Sequence, residues 1–208
     1  MIKRILFLLL MVQINAHAIR KDELKTGDLI FQNLDCGPMC DAIEAVTKGY
    51  NNKPFSHMGM VYILQDNIFI IESIGAGVQL TPLERFISRT KHAHWVGRIR
   101  NKYQHLIPKA TGFALMCEGM PYDDEFLYGN GKYYCSELIY DAFKAANNGK
   151  PFFELKPMTF KAPGAYDYFP VWQQHFLRLD MPIPEGALGC NPGGISLSKK
   201  IQMLGLLE

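Results

Sequence analysis

The sequence lacks several features, and each absence excludes a class of protein. Its 208 residues contain 22 Lys and Arg against 20 Asp and Glu, and a formal charge of +2 is too small to indicate a nucleic-acid-binding protein. It contains no internal repeat, no low-complexity tract and no long run of charge. Because 48% of the residues are hydrophobic, a largely disordered chain is also excluded. We therefore expect a globular protein without a nucleic-acid partner.

Cysteines are few, and their odd number of five excludes a fully closed disulfide framework. Cys36 and Cys40 are four residues apart, which is not the spacing of common redox or zinc motifs. A disulfide between them is permitted in an oxidising compartment, but we favour two thiols where a loop meets a helix. Cys117 is expected in the core of a helix. Cys190 lies in a tail rich in Gly and Pro, and its redox state is not predictable.

Metal ligands and cofactor motifs are also scarce. His92 and His94 would point to the same face of a strand, but no third ligand lies nearby in the sequence. Surface histidines are the better interpretation of this pair. We therefore expect no metal site and no cofactor.

The N-terminus carries the features of a secretory signal peptide. In Met1–Ala18 a basic start precedes the apolar run Ile5–Ile14, and Ala16-His17-Ala18 follows as a small-x-small cleavage pattern. The run is too short for a membrane anchor, and no other stretch is long enough to span a bilayer. We predict cleavage, a periplasmic or secreted location, and one domain over residues 19–208. No stable membrane span would then remain.

The remaining pattern predicts an α+β fold, in which a small antiparallel sheet or barrel packs against helices. Short apolar runs bounded by turns predict the strands, and apolar residues at helical spacing predict the helices. Strands are predicted at Leu29–Phe31, His57–Leu64, Ile68–Glu72, Gly77–Thr81 and His94–Arg100. Helices are predicted from Pro38 to about Lys48, after Thr81, at Ile107–Cys117, at Cys135–Ala146 and after Ser196.

Cys135 is the first candidate for chemistry, because it lies where a loop becomes a strongly amphipathic helix. A thiol at a helix N-terminus lies near the positive end of the helix dipole and near free backbone N–H groups. Both features favour the nucleophilic thiolate, and the N–H groups can also hold an oxyanion. The alternative is a buried structural cysteine.

His57 and Glu72 are candidates for a base and for a group that orients it. His57 begins one apolar strand and Glu72 ends the next, and the turn near residues 65–67 brings the two to the same end of a hairpin. A carboxylate can bind one ring nitrogen and direct the other towards a thiol. Taken singly, each has a structural alternative: a core or surface histidine, and an exposed glutamate on an edge strand.

These residues belong to a wider resemblance. The segments Gly27–Gln32, Phe55–Gly59, Ile71–Ser73, Pro121–Asp123 and Tyr134–Leu138 resemble, in this order, the YiiX/YaeF-like permuted papain-fold amidases of the NlpC superfamily. The resemblance implies a circularly permuted papain-like fold. It also implies Cys135 as nucleophile, His57 as base and Glu72 as the third polar residue.

The predicted function is hydrolysis of an amide bond through a thioester on Cys135. The substrate would be a small molecule, a cell-wall peptide, or an N-acyl or lipid amide. The alternatives are a lipid acyltransferase or thiol acyl hydrolase, and a non-catalytic ligand-binding module of the same fold. Further residues are predicted to line the substrate path or to help hold the oxyanion, namely Tyr134, Ser136, Tyr122, Asp123 and Gln32.

Overall fold

Apolar residues on both faces of the central strands form a six-stranded antiparallel sheet, which is the centre of the computed structural model. The model describes residues 18–208, so the predicted leader, apart from Ala18, lies outside the described residues. Neighbouring strands follow the order β4-β3-β2-β1-β5-β8, and β6 and β7 form a separate ribbon. The strands are β1 (Leu29–Gln32), β2 (His57–Leu64), β3 (Asn67–Ile74), β4 (Gly77–Pro82), β5 (Trp95–Ile99), β6 (Lys156–Pro157), β7 (Leu188–Gly189) and β8 (Ile201–Leu206).

The helices are short and pack around this sheet. They are α1 (Pro38–Val46), α2 (Leu83–Ile87), α3 (Ile107–Met116), α4 (Cys135–Ala146), α5 (Pro170–Arg178) and α6 (Pro192–Ser196). Single 3-10 turns occur at Lys21–Glu23, Tyr50–Asn52 and Asn101–Leu106. Within residues 18–208, none of the helices has the length and apolar character that crossing a membrane requires. The antiparallel sheet with helices confirms the predicted α+β class.

The β2–β3 hairpin places the first two site residues. Its turn is the pair Gln65–Asp66, both with positive φ, which matches a tight hairpin and pairs Leu64 with Asn67. Continued to the other end, this register places Glu72 opposite Gly59 and diagonal to His57 on the same face. A Cβ at Gly59 would lie 2.3 Å from Ile70 Cγ2, so this close approach of strands requires glycine.

The two faces of the sheet bury different cores. One face packs Leu29, Met58 and Met60 against α3 and α4, in the largest hydrophobic cluster of the described chain. The opposite face packs residues such as Ile30 and Val61 against α2. Consecutive residues of β1 and β2 thus point to opposite sides, and burial on both sides makes these strands almost wholly apolar. Because both faces are packed, the sheet fixes the positions of side chains at the ends of its strands.

The secondary structure of the tail, the part of the chain after α4, differs from the sequence-based prediction. We expected a helix after Ser196, but α6 ends at that residue and the chain continues into β8, an edge strand paired with β5. Asn191 caps α6, because its side chain accepts the N–H of Gly194 at 2.6 Å. Helix α5 was not predicted, and it packs Trp172 and Phe176 in a third cluster with Ala42 of α1.

Candidate active site

Cys135 is the first residue of α4 and follows the N-cap residue Tyr134. Leu138, Ile139 and Phe143 are fully buried in the core beside the sheet, which holds the start of the helix in place. The first N–H groups of a helix have no partner within it and carry the positive end of its dipole. The sequence prediction of a thiol at a helix N-terminus therefore matches the observed local structure.

His57 and Glu72 come together at the end of the hairpin. Nε2 of His57 lies 2.5 Å from Oε2 of Glu72, and both side chains are buried. Cys135 lies beside the same imidazole, close enough that hydrogen bonding to its side chain affects the pKa of His57. The structure thus brings together the three residues for which the sequence predicted chemistry.

Thr81 and Arg89 complete the surroundings of Glu72. The Thr81 hydroxyl donates to Oε1 at 2.5 Å, and the Arg89 guanidinium donates to both carboxylate oxygens at 2.5 and 2.6 Å. The sequence reasoning missed both partners, since it treated Thr81 only as the end of a strand and the cap of the helix that follows. One signal was available: a carboxylate within a buried strand needs a cation or several donors nearby.

These contacts set the charges of the site. Burial raises the pKa of Glu72, but hydrogen bonds from His57, Arg89 and Thr81 outweigh it and hold this pKa at about 2. Burial lowers the pKa of His57, but hydrogen bonds and charge from Cys135 and Glu72 raise it to about 9. At neutral pH the imidazole is therefore protonated and the carboxylate ionised. A protonated imidazole beside a sulfur stabilises the thiolate form electrostatically.

A cavity of about 510 Å³ lies beside Cys135. Its wall comes from α1, from the loop before α4, from α5 and from the irregular segments at 152–160 and 189–200. Large apolar and aromatic side chains form much of this wall: Ile43, Val46, Phe126, Phe152, Phe153, Met158, Phe160, Trp172, Ile195 and Leu197. A ligand there would contact hydrocarbon over much of its surface.

Hydrogen bonds connect Cys190, in the tail of the chain, to both residues that flank Cys135. The backbone N–H of Cys190 donates to the Tyr134 hydroxyl at 3.2 Å, and the Ser136 hydroxyl donates to the Cys190 carbonyl at 3.0 Å. All three residues line the cavity. Burial raises the pKa of the Cys190 thiol, so this sulfur stays protonated at neutral pH. The wall of the cavity is thus fixed to the helix that carries Cys135.

The structure divides the predicted lining residues into two groups. Tyr134, Ser136 and Tyr122 line the cavity beside Cys135. Asp123 and Gln32 are not among the residues that line it. Asp123 is fully buried and organises its own loop, accepting the N–H groups of residues 125 and 127. Gln32 donates its side-chain amide to the carbonyl of residue 86, on α2.

The remaining cysteines and histidines lie outside this constellation. Cys36 and Cys40 form a disulfide across the start of α1, so the prediction of two thiols is wrong. The turn at residues 37–38 brings their Cα atoms to 5.3 Å, within the range for a bridge. Cys117 is a buried free thiol next to the end of α3, close to its predicted place in a helix core.

The two histidines of the predicted strand do not act together. His92 is exposed and lies 3.3 Å from the carboxylate of Asp35, whereas His94 is buried, and burial lowers its pKa. Over residues 18–208, the structure contains no group of three or more His, Cys, Asp or Glu side chains placed to hold a metal ion.

Glu137 is an unusual residue that sequence reasoning passed over. It is fully buried two positions after Cys135, and its Oε1 accepts the N–H of Gly129 at 3.0 Å. Its Oε2 has no hydrogen-bond partner within the described residues. Burial, reinforced by the charges of Asp123 and Asp141, raises its pKa to about 8. Its carboxyl is therefore largely protonated at neutral pH.

Comparisons with known proteins identify the family and the fold. The chain is 29% identical over 149 residues to the uncharacterized protein YiiX of Escherichia coli strain K12, covering 69% of this chain and 67% of YiiX. A crystal structure described as metalloprotein YiiX from Escherichia coli O157:H7 has the same fold, with a TM-score of 0.71 at 22% identity. That match covers 88% of this chain and 97% of the other. The family model for the permuted papain-like amidase enzymes YaeF/YiiX, family C92, matches residues 23–193. The chain therefore belongs to the C92 family of permuted papain-like amidases.

Proposed function

We propose that the protein is a secreted cysteine amidase that hydrolyses N-acyl amides with an apolar acyl chain. The observation that carries the proposal is the hydrogen bond of His57 to Glu72 beside the Cys135 thiol, at the edge of an apolar cavity. Family membership supports amide hydrolysis, and the geometry supports the assignment of roles. Secretion is inferred from the leader pattern at Met1–Ala18.

The reaction begins with the thiolate of Cys135 and the imidazolium of His57. The sulfur attacks the amide carbonyl, and a carbon–sulfur bond forms as the carbonyl π electrons move to oxygen. Backbone N–H groups at the start of α4 are placed to hold that oxyanion. Glu72 keeps the ring oriented and balances its positive charge, as Nε2 is bound at 2.5 Å.

Collapse of the tetrahedral intermediate breaks the carbon–nitrogen bond. His57 donates its proton to the leaving amine and becomes neutral, which leaves an acyl thioester on Cys135. The neutral ring then takes a proton from water as the water oxygen attacks the thioester. Expulsion of the thiolate releases a carboxylic acid and restores the starting ion pair.

The wall of the cavity favours an acyl chain over a cell-wall peptide. A peptide carries a polar backbone that needs hydrogen-bond partners along its length, whereas aromatic and aliphatic groups dominate the large side chains of this wall. A volume of about 510 Å³ suits a small ligand with a flexible hydrocarbon chain. The carbonyl would then lie at Cys135, with the chain among Phe160, Trp172 and Ile43.

The experiment is a hydrolysis assay on a series of N-acyl amides, combined with alkylation. We expect Cys135→Ala to lower kcat by at least about 10³-fold without unfolding the protein. Iodoacetamide should label Cys135 selectively, and substrate should protect it. Cys117→Ala is the matched control, because it removes another buried free thiol outside the cavity.

Retained hydrolysis in Cys135→Ala would overturn the assignment of the nucleophile. Slow, unselective labelling together with tight ligand binding would favour a non-catalytic binding module. Transfer of the acyl group to an added alcohol or amine in preference to water would favour an acyltransferase.

A further inference from the structure

The entrance of the cavity carries exposed leucines and lysines side by side. We call "the mouth" the residues that both line the cavity and are exposed to solvent. They are Glu154, Lys156, Pro157, Thr159, Gly194, Leu197 and Lys199. All of them come from the short elements and loops that follow α4. The mouth is thus distinct from the reactive groups, which lie on the sheet and at the start of α4.

The apolar part of the mouth is unusually open to water. Leu197 is 57% exposed although it lines the cavity. Leu188, which is 55% exposed, pairs across the β6–β7 ribbon with Pro157 of the mouth. Two leucines and a proline therefore extend the apolar wall of the cavity outwards onto the surface. Large exposed apolar groups next to a binding cavity are typical of an interaction surface.

The charged part of the mouth is predominantly positive. The mouth contains Lys156 and Lys199 and one acid, Glu154, and the half-buried Lys200 next to Lys199 in the chain also lines the cavity. The Nζ of Lys156 lies 3.4 Å from the carboxylate of Glu154, and both side chains are largely exposed, so this pair is weak. Lys200 binds the carbonyl of Phe152 and lies 4.6 Å from its ring centre. Glu185, whose carboxylate accepts the hydroxyl of the mouth residue Thr159 at 2.9 Å, is a second acid at this surface. Three lysines against two carboxylates leave a small excess of positive charge.

Combined, these features fit the surface of a membrane better than a soluble ligand. Exposed leucines flanked by lysines are the arrangement with which proteins bind lipid interfaces, where the leucines enter the acyl layer and the lysines meet lipid phosphates. A free anionic substrate would use the lysines, but it would leave Leu188 and Leu197 in water.

We propose that the mouth docks on an anionic lipid bilayer, so that an N-acyl lipid passes from the membrane into the cavity without crossing water. The identity of that lipid as a substrate rests on the proposed function, whereas docking itself does not require turnover. The contact is peripheral, because it involves only surface side chains.

The experiment measures vesicle binding by flotation, with Cys135→Ser to prevent turnover. Phosphatidylcholine vesicles are compared with vesicles in which phosphatidylglycerol replaces part of the lipid. We expect binding to the anionic vesicles that weakens with added salt. Each of Lys156→Gln and Lys199→Gln should lower the partition coefficient about fivefold. The double change Leu188→Ser and Leu197→Ser should lower it at least about tenfold.

Leu64→Ser and Lys109→Gln are the matched controls. Leu64 is 47% exposed at the turn end of β2, the opposite end of that strand from His57. Lys109 is exposed on α3 and does not line the cavity. Neither change should alter vesicle binding. Because every substituted side chain is exposed, thermal unfolding midpoints should stay unchanged, which separates lost binding from lost folding.

Two results would overturn docking. One is equal or absent binding to both kinds of vesicle. The other is a protein that binds a soluble N-acyl amino acid, as measured by calorimetry, but does not bind either kind of vesicle. In either case, hydrolysis of soluble N-acyl amides would leave the proposed function intact. Vesicle binding without hydrolysis of any N-acyl amide would instead remove the proposed function and retain the docking surface.

Discussion

Cys135 lies between two regions of opposite character. On the sheet side, His57, Glu72, Thr81 and Arg89 form a buried network of charges and hydrogen bonds. On the tail side, residues 152–200 form a largely apolar wall from short elements and loops. The sheet side holds its groups on paired strands and the turn after α2, whereas the tail side consists of short elements joined by loops. Under the proposed function, reactivity depends on the paired strands and substrate choice on these shorter elements.

The largest effect on the rate is expected from removing a charged group of the network on the sheet side. We predict that Glu72→Gln lowers kcat about 10²- to 10³-fold, less than Cys135→Ala, because it removes orientation and charge balance but keeps the nucleophile. Since Glu72 helps to raise the pKa of His57 to about 9, the basic limb of the pH–rate profile should also move to lower pH. Steady-state rates from pH 5 to 10 measure both effects.

Thr81→Val is the control, because it removes one neutral donor to Glu72 and keeps the charges. A smaller loss of rate and a smaller movement of the basic limb are expected. Glu72→Gln also leaves the Arg89 charge without its partner, so unfolding should be followed in parallel. An unchanged basic limb in a folded Glu72→Gln protein would contradict the role of the carboxylate in holding the proton on His57.

A smaller effect should come from narrowing the cavity that the tail side helps to enclose. Val46 lines the cavity from the last residue of α1, and Val46→Phe would fill part of its volume. We predict that kcat/KM falls about tenfold for long acyl chains and less for short ones, because only long chains reach the added ring. Ala45→Phe is the control, since Ala45 is exposed on the same helix outside the cavity. Equal losses for all chain lengths would contradict an acyl site.

The smallest effect should appear in stability rather than rate. Burial raises the pKa of Glu137 from an ordinary 4.5 to about 8, so the folded protein holds a proton that the unfolded chain loses. The stability associated with this proton is fully present below pH 4.5 and is lost as pH rises towards 8. Glu137→Gln cannot ionise. We therefore predict that the variant gains on the order of 1–2 kcal/mol over wild type between pH 5 and pH 9.

Urea unfolding at a series of pH values checks this prediction. The opposite slope is expected from Glu72, whose lowered pKa contributes stability above about pH 4.5 that is lost as pH falls towards 2. His57 contributes stability below about pH 6.5 that is lost as pH rises through 9. A difference between Glu137→Gln and wild type that does not grow with pH would contradict a protonated carboxyl beside the nucleophile.

The sequence was sufficient for the parts of the molecule that local pattern determines. The β2–β3 hairpin and α4 follow from apolar periodicity and turn residues, and together they place His57, Glu72 and Cys135 near one another. The predicted turn at residues 65–67 includes the observed pair Gln65–Asp66, and His57 and Glu72 lie near the same end of the hairpin, as expected. Three of the polar groups at the site were thus predictable.

The remainder depends on contacts between distant segments. Arg89 was not predictable because its partner depends on how α2 folds back over the sheet. Strand β8 pairs with β5 about 100 positions earlier, and its pattern is interrupted by Gly205 at a φ of 145°. The disulfide of Cys36 with Cys40 depends on the turn between them, which spacing alone does not fix.

The hydrogen bonds at Cys190 have a consequence for measuring this protein in solution. Its amide proton points to the Tyr134 hydroxyl, one residue before the nucleophile, so it exchanges with solvent only when the tail leaves α4. Deuterium uptake at this single amide therefore reports how often the two regions separate. A ligand that fills the cavity and holds both regions should slow that uptake, even in a protein whose nucleophile has been removed.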